Sequence, residues 1–281
     1  RVGPIEALRS AASERVKGRW FGARNLLVVG QVAGSVLMLL CTGLFLRSLG
    51  NAEAINPGFV ARGVSAFSVD LASRGYTEAQ GTMFFDQMRE RLLTVPGVEA
   101  VGMTNRMPLS FEGGRRSLGI FGYTPAEGED MEVHYSVVGL GYFETLKTRI
   151  TRGRALSSTD ATGPGAVVVN QAFVNRYWPG KSGVGERIVA HRRVDGRSAE
   201  TPMEVVGVAQ DGKYISLGEA ATPFIYYPQS HLYEAQMNVL LRTNGDPARL
   251  ATEVRSAVAS LDPNLPLFDF RTLEQHLGLA L

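Results

Sequence analysis

The amino-acid sequence predicts an α+β protein with one transmembrane helix near its N-terminus. Three observations support this fold class. The stretch from Leu26 to Leu46 contains no Asp, Glu, Lys, Arg or His. Two later segments, at 64–103 and 239–270, each show the order strand, amphipathic helix, strand, and the residues between them form short strand-like runs separated by turns. We therefore expect a membrane helix followed by a ferredoxin-like α/β layer that carries an inserted β-rich subdomain.

The apolar stretch is long enough to cross a bilayer. As a helix it would extend about 31 Å, which matches a hydrocarbon core of about 30 Å. Its many Leu, Val and Phe residues favour insertion by more than the polar Gln31, Ser35 and Thr42 oppose it. A buried core helix is a weaker interpretation, because such helices are shorter and keep a polar stripe. A cleaved signal peptide also fits poorly, because its apolar run spans roughly 7 to 15 residues and a small-residue cleavage site should follow.

The charges flanking this helix predict its orientation. Residues 1–24 carry six Lys or Arg against two Glu, a net charge of +4, whereas Arg47 and Arg62 against Glu53 leave only +1 on the other side. The positive-inside rule places 1–24 in the cytoplasm as a basic linker and the chain from about residue 48 outside it. The whole chain has a net charge of +2, so the part after residue 24 carries +2 minus +4, or −2. We therefore expect no nucleic-acid partner.

Two features of the helix are candidate functional residues. Gly30 and Gly34 form a G-x-x-x-G pair, which lets another helix backbone approach closely in lipid, and Gln31 beside them would then face protein. Such a pair is also common by chance. Beyond Arg47 we expect the helix to continue out of the membrane and to stop at Asn56, Pro57 and Gly58, which each disfavour a helix.

The two β-α-β units have matching spacings. The first consists of a strand at Val64 to Leu71, a helix from Thr77 to about Val95 and a strand at Val98 to Met103. The second consists of a strand at Val239 to Arg242, a helix at Pro247 to Leu261 and a strand at Leu265 to Phe270. Packed side by side they make a ferredoxin-like layer, although such units are common enough to recur by chance.

The residues from 110 to 236 have a different character. Only Gly141 to Leu146 and Gln171 to Trp178 look helical there. The strand-like runs are Ser117 to Tyr123, Val133 to Val138, Ala166 to Asn170, Arg187 to Ala190, Met203 to Val208 and Phe224 to Tyr227. A β-rich subdomain inserted into the α/β layer is the simplest assignment.

The sequence offers no candidate catalytic, cofactor-binding or metal-ligating residues. The single cysteine, Cys41, lies in the apolar stretch, and the four histidines stand far from one another without carboxylates at ligand spacing. The segment that ends in Gly180-Lys181-Ser182 is not a phosphate-binding loop, because Asn175 occupies the position of its first glycine. We therefore expect that the chain is not an enzyme and has no cofactor.

In order and spacing, short motifs along the chain resemble the MacB/FtsX-like permeases of ABC transporters, and in particular the second repeat of a duplicated orphan permease. Val2 to Arg9 is similar to the D-P-x-E-A-L-R end of a permease repeat, with Gly3 in place of Asp. The other matching stretches are Asn25–Val32, Leu44–Leu49, Asn56–Phe59, Pro96–Glu99, Gly141–Phe143, Arg152–Arg154, Val169–Ala172, Tyr177–Gly180, Val205–Val208, Leu261–Pro266 and Arg271–Glu274.

The resemblance implies a division of the chain into seven parts. These are a cytoplasmic linker at 1–24, a transmembrane helix at 25–47, a stalk at 48–62, a porter subdomain in two pieces at 63–109 and 237–272, an inserted sabre subdomain at 110–236, and the start of a return stalk at 273–281. Because the chain begins with Arg1 and stops at Leu281, we expect it to be a piece of a longer protein that re-enters the membrane.

The resemblance also implies a function and partners. The chain would belong to an inner-membrane permease subunit that couples ATP hydrolysis by a partner ABC ATPase to movement of a periplasmic domain, for export or mechanotransmission. Its other partners would be the lipid bilayer and the other permease repeat or a second permease chain. A single-span sensor or binding ectodomain without transport activity has the same layout and stays an alternative, whereas an ectoenzyme would need convergent polar groups that the sequence does not show.

Overall fold

The computed structural model describes residues 23–110, 114–161, 165–194, 197–244 and 247–278. Most of the predicted linker at 1–24 and the end of the predicted return stalk at 273–281 lie outside these ranges. By its internal contacts the chain divides into two units, Arg1–Ile55 and Asn56–Leu281.

The described part of the first unit is one long helix, α1 (Ala23–Ala54). Within it, Asn25–Ser48 is long and apolar enough for a single membrane span, and none of it is buried. Met38 and Leu39, for example, are 75 % and 72 % exposed. The hydroxyls of Ser35 and Thr42 donate to the carbonyls of Gln31 and Met38 at 2.9 and 2.8 Å, so the helix itself satisfies them. The exposure argues against the core-helix alternative, because a core helix would be covered by its own domain.

The second unit contains eleven strands and five α-helices in its described residues. The strands are β1 (Val64–Asp70), β2 (Val98–Thr104), β3 (Gly114–Ile120), β4 (Glu132–Val138), β5 (Ile150–Gly153), β6 (Ala166–Asn170), β7 (Arg187–Val194), β8 (Arg197–Ala209), β9 (Phe224–Pro228), β10 (Gln236–Thr243) and β11 (Phe268–Thr272). The helices are α2 (Glu78–Leu93), α3 (Tyr142–Leu146), α4 (Gln171–Tyr177), α5 (Pro247–Ala259) and α6 (Leu273–Gly278).

The two β-α-β units form one ferredoxin-like layer, as predicted. Its strands follow the order β11-β1-β10-β2, all antiparallel, so the strands of the two units interleave. Helices α2 and α5 pack on one face of this sheet, where Phe85, Met88 and Val254 join its buried core. Helix α2 begins at a capping box in which Thr77 and Gln80 satisfy each other's backbone N–H groups.

The opposite face of the same sheet is also buried. Val64, Ala66 and Leu240 project from it into a second core that contains Tyr142 and Phe143 of α3, from the inserted residues. Burial on both faces explains why four consecutive residues of β1, from Val64 to Phe67, are buried rather than every second one.

The inserted strands close into a six-stranded barrel. Neighbouring strands follow the order β4-β3-β7-β8-β6-β9, and β9 pairs back with β4. The β4–β9 and β6–β8 pairs are parallel and the other four are antiparallel. All six strands contribute to a third core, and Phe173, Tyr177 and Trp178 of α4 and its C-terminal end fill the same core. Among the described strands, the barrel pairs with the ferredoxin-like sheet at one residue pair, Thr104 with Val138.

Several strand boundaries differ from those predicted. Strand β8 begins at Arg197 rather than Met203, and β10 begins at Gln236 rather than Val239, because long pairings with β7 and β1 extend them past their apolar centres. The last strand begins at Phe268 rather than Leu265, since Pro266 within the predicted range cannot donate to a ladder. Strand β5 was not predicted; among the strands that the structure describes, it pairs with β8 alone.

An ion pair fixes the loop after β5. Both guanidinium Nη atoms of Arg154 donate to the carboxylate of Asp160 at 2.7 Å, and the backbone N–H of Ser157 donates to it at 2.8 Å. Asp160 is 8 % exposed. The hydrogen bond from Arg154, more than any other contact, holds the pKa of Asp160 down at about 2.

We predict that Asp160→Asn lowers the free energy of unfolding at pH 7 by roughly 1 to 2 kcal/mol. A carboxylate with a lowered folded-state pKa contributes stability above its unfolded pKa and loses it as the pH falls towards the folded value. The difference between wild type and variant should therefore shrink between about pH 4 and pH 2. Urea unfolding in detergent micelles, followed by near-UV circular dichroism, measures this; a difference that stays constant with pH would contradict the assignment.

Candidate functional site

The first residues of the second unit, 56–63, are here called the entry segment. They covalently join the apolar helix to the domain, so any movement passed along the chain between the two must go through them. Helix α1 ends at Ala54, just before the predicted stop residues Asn56, Pro57 and Gly58. These three residues are not helical. Asn56 contacts Gly58, and both Pro57 and Gly58 contact the rest of the domain.

The start of the entry segment packs backbone to backbone on the loop at 210–213. The backbone N–H of Gly58 donates a hydrogen bond to Asn56 Oδ1 at 2.9 Å. The φ angle of Gly58 is +83°, which lies in the left-handed region. A Cβ on Gly58 would lie 2.6 Å from the carbonyl oxygen of Asp211, so only glycine fits there. Lys213 N donates to the carbonyl of Pro57 at 2.8 Å, and Gln210 Nε2 donates to that of Gly58 at 2.7 Å.

The end of the entry segment is held by a buried arginine. Arg242, at the end of β10, is 6 % exposed. Its guanidinium donates to three backbone carbonyls, those of Thr145 at 2.6 Å, Arg62 at 3.0 Å and Val60 at 2.7 Å. Burial lowers the pKa of Arg242, while the nearby charge of Glu99 opposes that shift. Because arginine stays charged in proteins, these are charge-assisted hydrogen bonds.

The entry segment thereby contacts both parts of the domain. On one side Arg242 and α3 hold the segment. The contact with α3 is a hydrogen bond that Val60 N donates to the carbonyl of Leu146 at 2.8 Å. On the other side the loop at 210–213 leads to the barrel, because Asp211 Oδ1 accepts the N–H of Ala172 in the first turn of α4 at 2.7 Å. The segment is a bridge between the ferredoxin-like sheet and the helix that fills the barrel.

Buried tyrosines surround a small cavity beside this bridge. Its volume is about 30 Å³, and Gly58, Tyr142, Tyr214 and Tyr226 are among its lining residues. Tyr214 stacks on Phe224 with 3.7 Å between ring centroids, and the hydroxyl of Tyr226 donates to that of Tyr214 at 3.2 Å. Burial raises the pKa of Tyr142, Tyr214 and Tyr226, so their hydroxyls stay protonated. A cavity of this size holds a water molecule or two, which makes it a packing feature rather than a substrate site.

The predicted helix-packing residues lie on α1. A Cβ built on Gly30 or Gly34 meets no atom within 4 Å among the described residues, and the amide of Gln31 has no hydrogen-bond partner there. The glycine pair therefore contacts nothing within the described chain, and its packing role stays a prediction.

The sequence analysis missed three residues of the bridge, Gln210, Asp211 and Arg242. The sequence does contain a signal for Arg242, because this residue directly follows the apolar run Val239-Leu240-Leu241. A charged side chain at the end of a buried strand needs a hydrogen-bond or ion-pair partner. Gln210 and Asp211 stand in an ordinary polar turn and carry no such signal. In the described ranges, no three His, Cys, Asp or Glu side chains are close enough together to hold a metal ion.

Comparison with known proteins identifies a family. The family model described as MacB-like periplasmic core domain matches residues 16–257. Among solved structures, the periplasmic region of MacB from Actinobacillus actinomycetemcomitans is similar with a TM-score of 0.50 and 12 % identity, covering 79 % of this chain and 94 % of that one. The extracellular domain of the noncanonic ABC-type transporter YknZ from Gram-positive bacteria has a TM-score of 0.44 and 15 % identity, covering 73 % and 100 %. A search of curated proteins found no match.

We predict that Arg242→Met lowers the free energy of unfolding by about 3 kcal/mol, because it leaves the carbonyls of Thr145, Val60 and Arg62 without their charged donor. Urea unfolding of the chain in detergent micelles measures the change. Arg74→Met is the matched control: Arg74 is exposed and donates no side-chain hydrogen bond in the described residues, so its change should stay within about 0.5 kcal/mol. Equal effects of the two substitutions would refute the anchoring role of Arg242.

Proposed function

Because this chain belongs to the family of MacB-like periplasmic core domains, we propose that it is part of the permease subunit of an ABC transporter. In this proposal a partner ATPase hydrolyses ATP in the cytoplasm, and the resulting movement passes through α1 to the domain outside the membrane. The chain itself performs no catalysis. Its work is mechanical, and it serves export or mechanotransmission.

The observation that carries this proposal is the way the entry segment is fixed. Hydrogen bonds from Gln210, Lys213 and Arg242 hold its backbone at both ends. A flexible tether between a membrane anchor and an independent ectodomain needs no such contacts, because its length alone sets its reach. A segment that transmits movement must resist being pulled off the domain, and charge-assisted hydrogen bonds from a buried arginine supply that resistance.

The proposal assigns locations to the parts of the chain. Residues 1–24 lie in the cytoplasm, α1 crosses the inner membrane, and the chain from about residue 48 is periplasmic, because the positive charge is concentrated before the helix. The ferredoxin-like layer corresponds to a porter subdomain at 63–109 and 237–272, and the barrel corresponds to a sabre subdomain at 110–236. Asn56, Pro57 and Gly58 would end the stalk at 48–62.

The proposal also gives α1 a partner. Gly30 and Gly34 lie about 40° apart around the helix axis, so they form one groove into which a second permease repeat or a second permease chain can pack. Gln31, at the edge of this groove, would donate or accept a hydrogen bond across the helix pair. The glycine pair would then keep the two permease halves moving together.

We predict that a cysteine placed in the domain is reachable from outside the inner membrane. In a Cys41→Ser background, Ser182→Cys at an exposed turn should react with an impermeant maleimide in cells whose outer membrane has been made permeable. Ser10→Cys in the basic linker should react only after lysis. The reverse labelling pattern would show that the orientation is inverted.

We predict that Gly34→Leu leaves insertion intact and abolishes function of the complete permease with its ATPase. Leucine favours the bilayer but holds two helices apart by a side chain's width. The measurement is ATP hydrolysis stimulated by the assembled complex, together with the membrane level of the permease.

Gly43→Leu is the matched control, because Gly43 lies about 180° from Gly34 around the helix axis and so faces away from the groove. It should keep both membrane level and activity. If Gly34→Leu is as active as Gly43→Leu, the glycine groove has no coupling role.

A further inference from the structure

Helix α6 packs into the same buried core as the entry segment. Leu273 is 0 % exposed there, Leu277 packs against the edge of this core, and Phe59 of the entry segment belongs to it. The helix begins at a capping box, in which Thr272 N donates to Gln275 Oε1 at 3.0 Å and Gln275 N donates to Thr272 Oγ1 at 3.1 Å. Because α6 has only six residues, it is not stable as an isolated helix, and its side-chain contacts with the domain must hold it in place.

One of these contacts is made by a histidine. His276 on α6 is half-buried, and a hydrogen bond joins its ring to the carbonyl of Pro108, in the loop after β2. The Nε2 atom of the ring is buried and has no hydrogen-bond partner in the described part of the chain. A neutral imidazole can leave one nitrogen without a proton, whereas a protonated imidazole donates from both. Protonation of the docked ring would therefore add a positive charge and a buried N–H group without an acceptor.

The surroundings of His276 also oppose its protonation. Burial has the largest effect and lowers the pKa of His276, and the positive charge of Arg271 on β11 lowers it further, whereas the hydrogen bond to Pro108 acts in the opposite direction. No carboxylate among the described residues is close enough to raise this pKa. Strand β1, which packs against α6, has no charged residue before Asp70. The other charged residues on the elements around α6 are Arg62 in the entry segment, Asp269 on β11, Glu274 on α6 itself, and Arg106 and Glu234, which line a cavity of about 340 Å³ together with His276.

We propose that His276 is a pH-sensitive latch for α6: its neutral ring holds the helix on the loop after β2, and protonation releases the helix from the domain. Because the released ring binds a proton more tightly, docking is strongest above the ordinary histidine pKa of about 6.5 and weakens as the pH falls below it. Release would uncover Leu273 and open the core beside the entry segment. The latch goes beyond the proposed coupling function, and its test needs neither an ATPase nor a second permease chain.

The test is an NMR titration of the whole chain in lipid nanodiscs, with ¹³C labels in the histidine rings and the leucine methyl groups. The ring of His276 should titrate below about pH 6.5, and the Leu273 methyl resonances should move to the position of a solvent-exposed leucine with the same midpoint. The ratio of docked to released helix should fall by about tenfold for each unit by which docking lowers the pKa of His276. Leu250, which is buried with α5 on the other face of the sheet, should keep its resonances.

Variants separate titration of the ring from folding. His276→Gln keeps an N–H group for the carbonyl of Pro108 but cannot be protonated, so Leu273 should stay docked down to about pH 5. Arg271→Gln removes a positive charge and should raise the pKa of His276, an effect that a purely structural role of Arg271 would not produce. His231→Gln is the matched control, because His231 lies in the turn after β9 and does not line the cavity with His276; this variant should release α6 as wild type does.

Two outcomes would overturn the proposal. One is a Leu273 resonance that stays in its buried position while His276 titrates, which would mean that the domain tolerates the charged ring. The other is an equal release of α6 in His276→Gln, which would assign the pH dependence to another group. If that variant does not fold, the wild-type titration decides: a pKa of His276 at or above about 6.5 contradicts the latch, and a lower pKa that coincides with release of Leu273 supports it.

Discussion

Burial of the ferredoxin-like sheet on both faces is the constraint on which the rest of the domain depends. One face is covered by α2 and α5, as in any ferredoxin-like unit, but Val64, Ala66 and Leu240 on the other face need a second cover. The insert supplies that cover through Tyr142 and Phe143 of α3. The inserted residues are therefore not a module attached to a finished core. Removing them would expose part of a sheet face that they bury together with Phe59 and Leu273.

The short motifs shared with the family acquire a physical meaning in the structure. Arg152-Gly153-Arg154 forms the end of β5 and its continuation, and Val205 to Val208 belongs to β8, its partner strand. A Cβ on Gly207 would lie 2.1 Å from the carbonyl oxygen of Arg154, so these two backbones approach too closely for any side chain. This approach places Arg154 where its guanidinium reaches Asp160. The two motifs thus belong to strands that are in contact, although they lie more than fifty residues apart in the sequence.

The sequence predicted local elements better than it predicted which elements pair. The apolar helix and the two β-α-β units could be recognised because hydrophobic period and turn residues mark them directly, although the interleaving of their strands could not. Closure of the barrel could not be recognised, because it rests on parallel pairing between β4 and β9. No short-range sequence signal indicates which distant strand will pair with a given strand. The candidate site shows the same limit. Gly58 was selected for what it does to a helix, whereas its observed contacts are with Gln210 and Asp211, residues about 150 positions away.

The entry segment contacts both parts of the domain. Arg242 on the sheet donates to its backbone, and its Gly58 closely approaches Asp211, which accepts a hydrogen bond from α4 of the barrel. Strand pairing links the two parts between Thr104 and Val138, and backbone hydrogen bonds from Asn105 N to Val137 and from Gly139 N to Met103, both 3.0 Å, extend this link. Under the proposed function, movement that enters at the entry segment would therefore reach both parts of the domain together, because the segment is hydrogen-bonded to one part and packed against a loop bonded to the other.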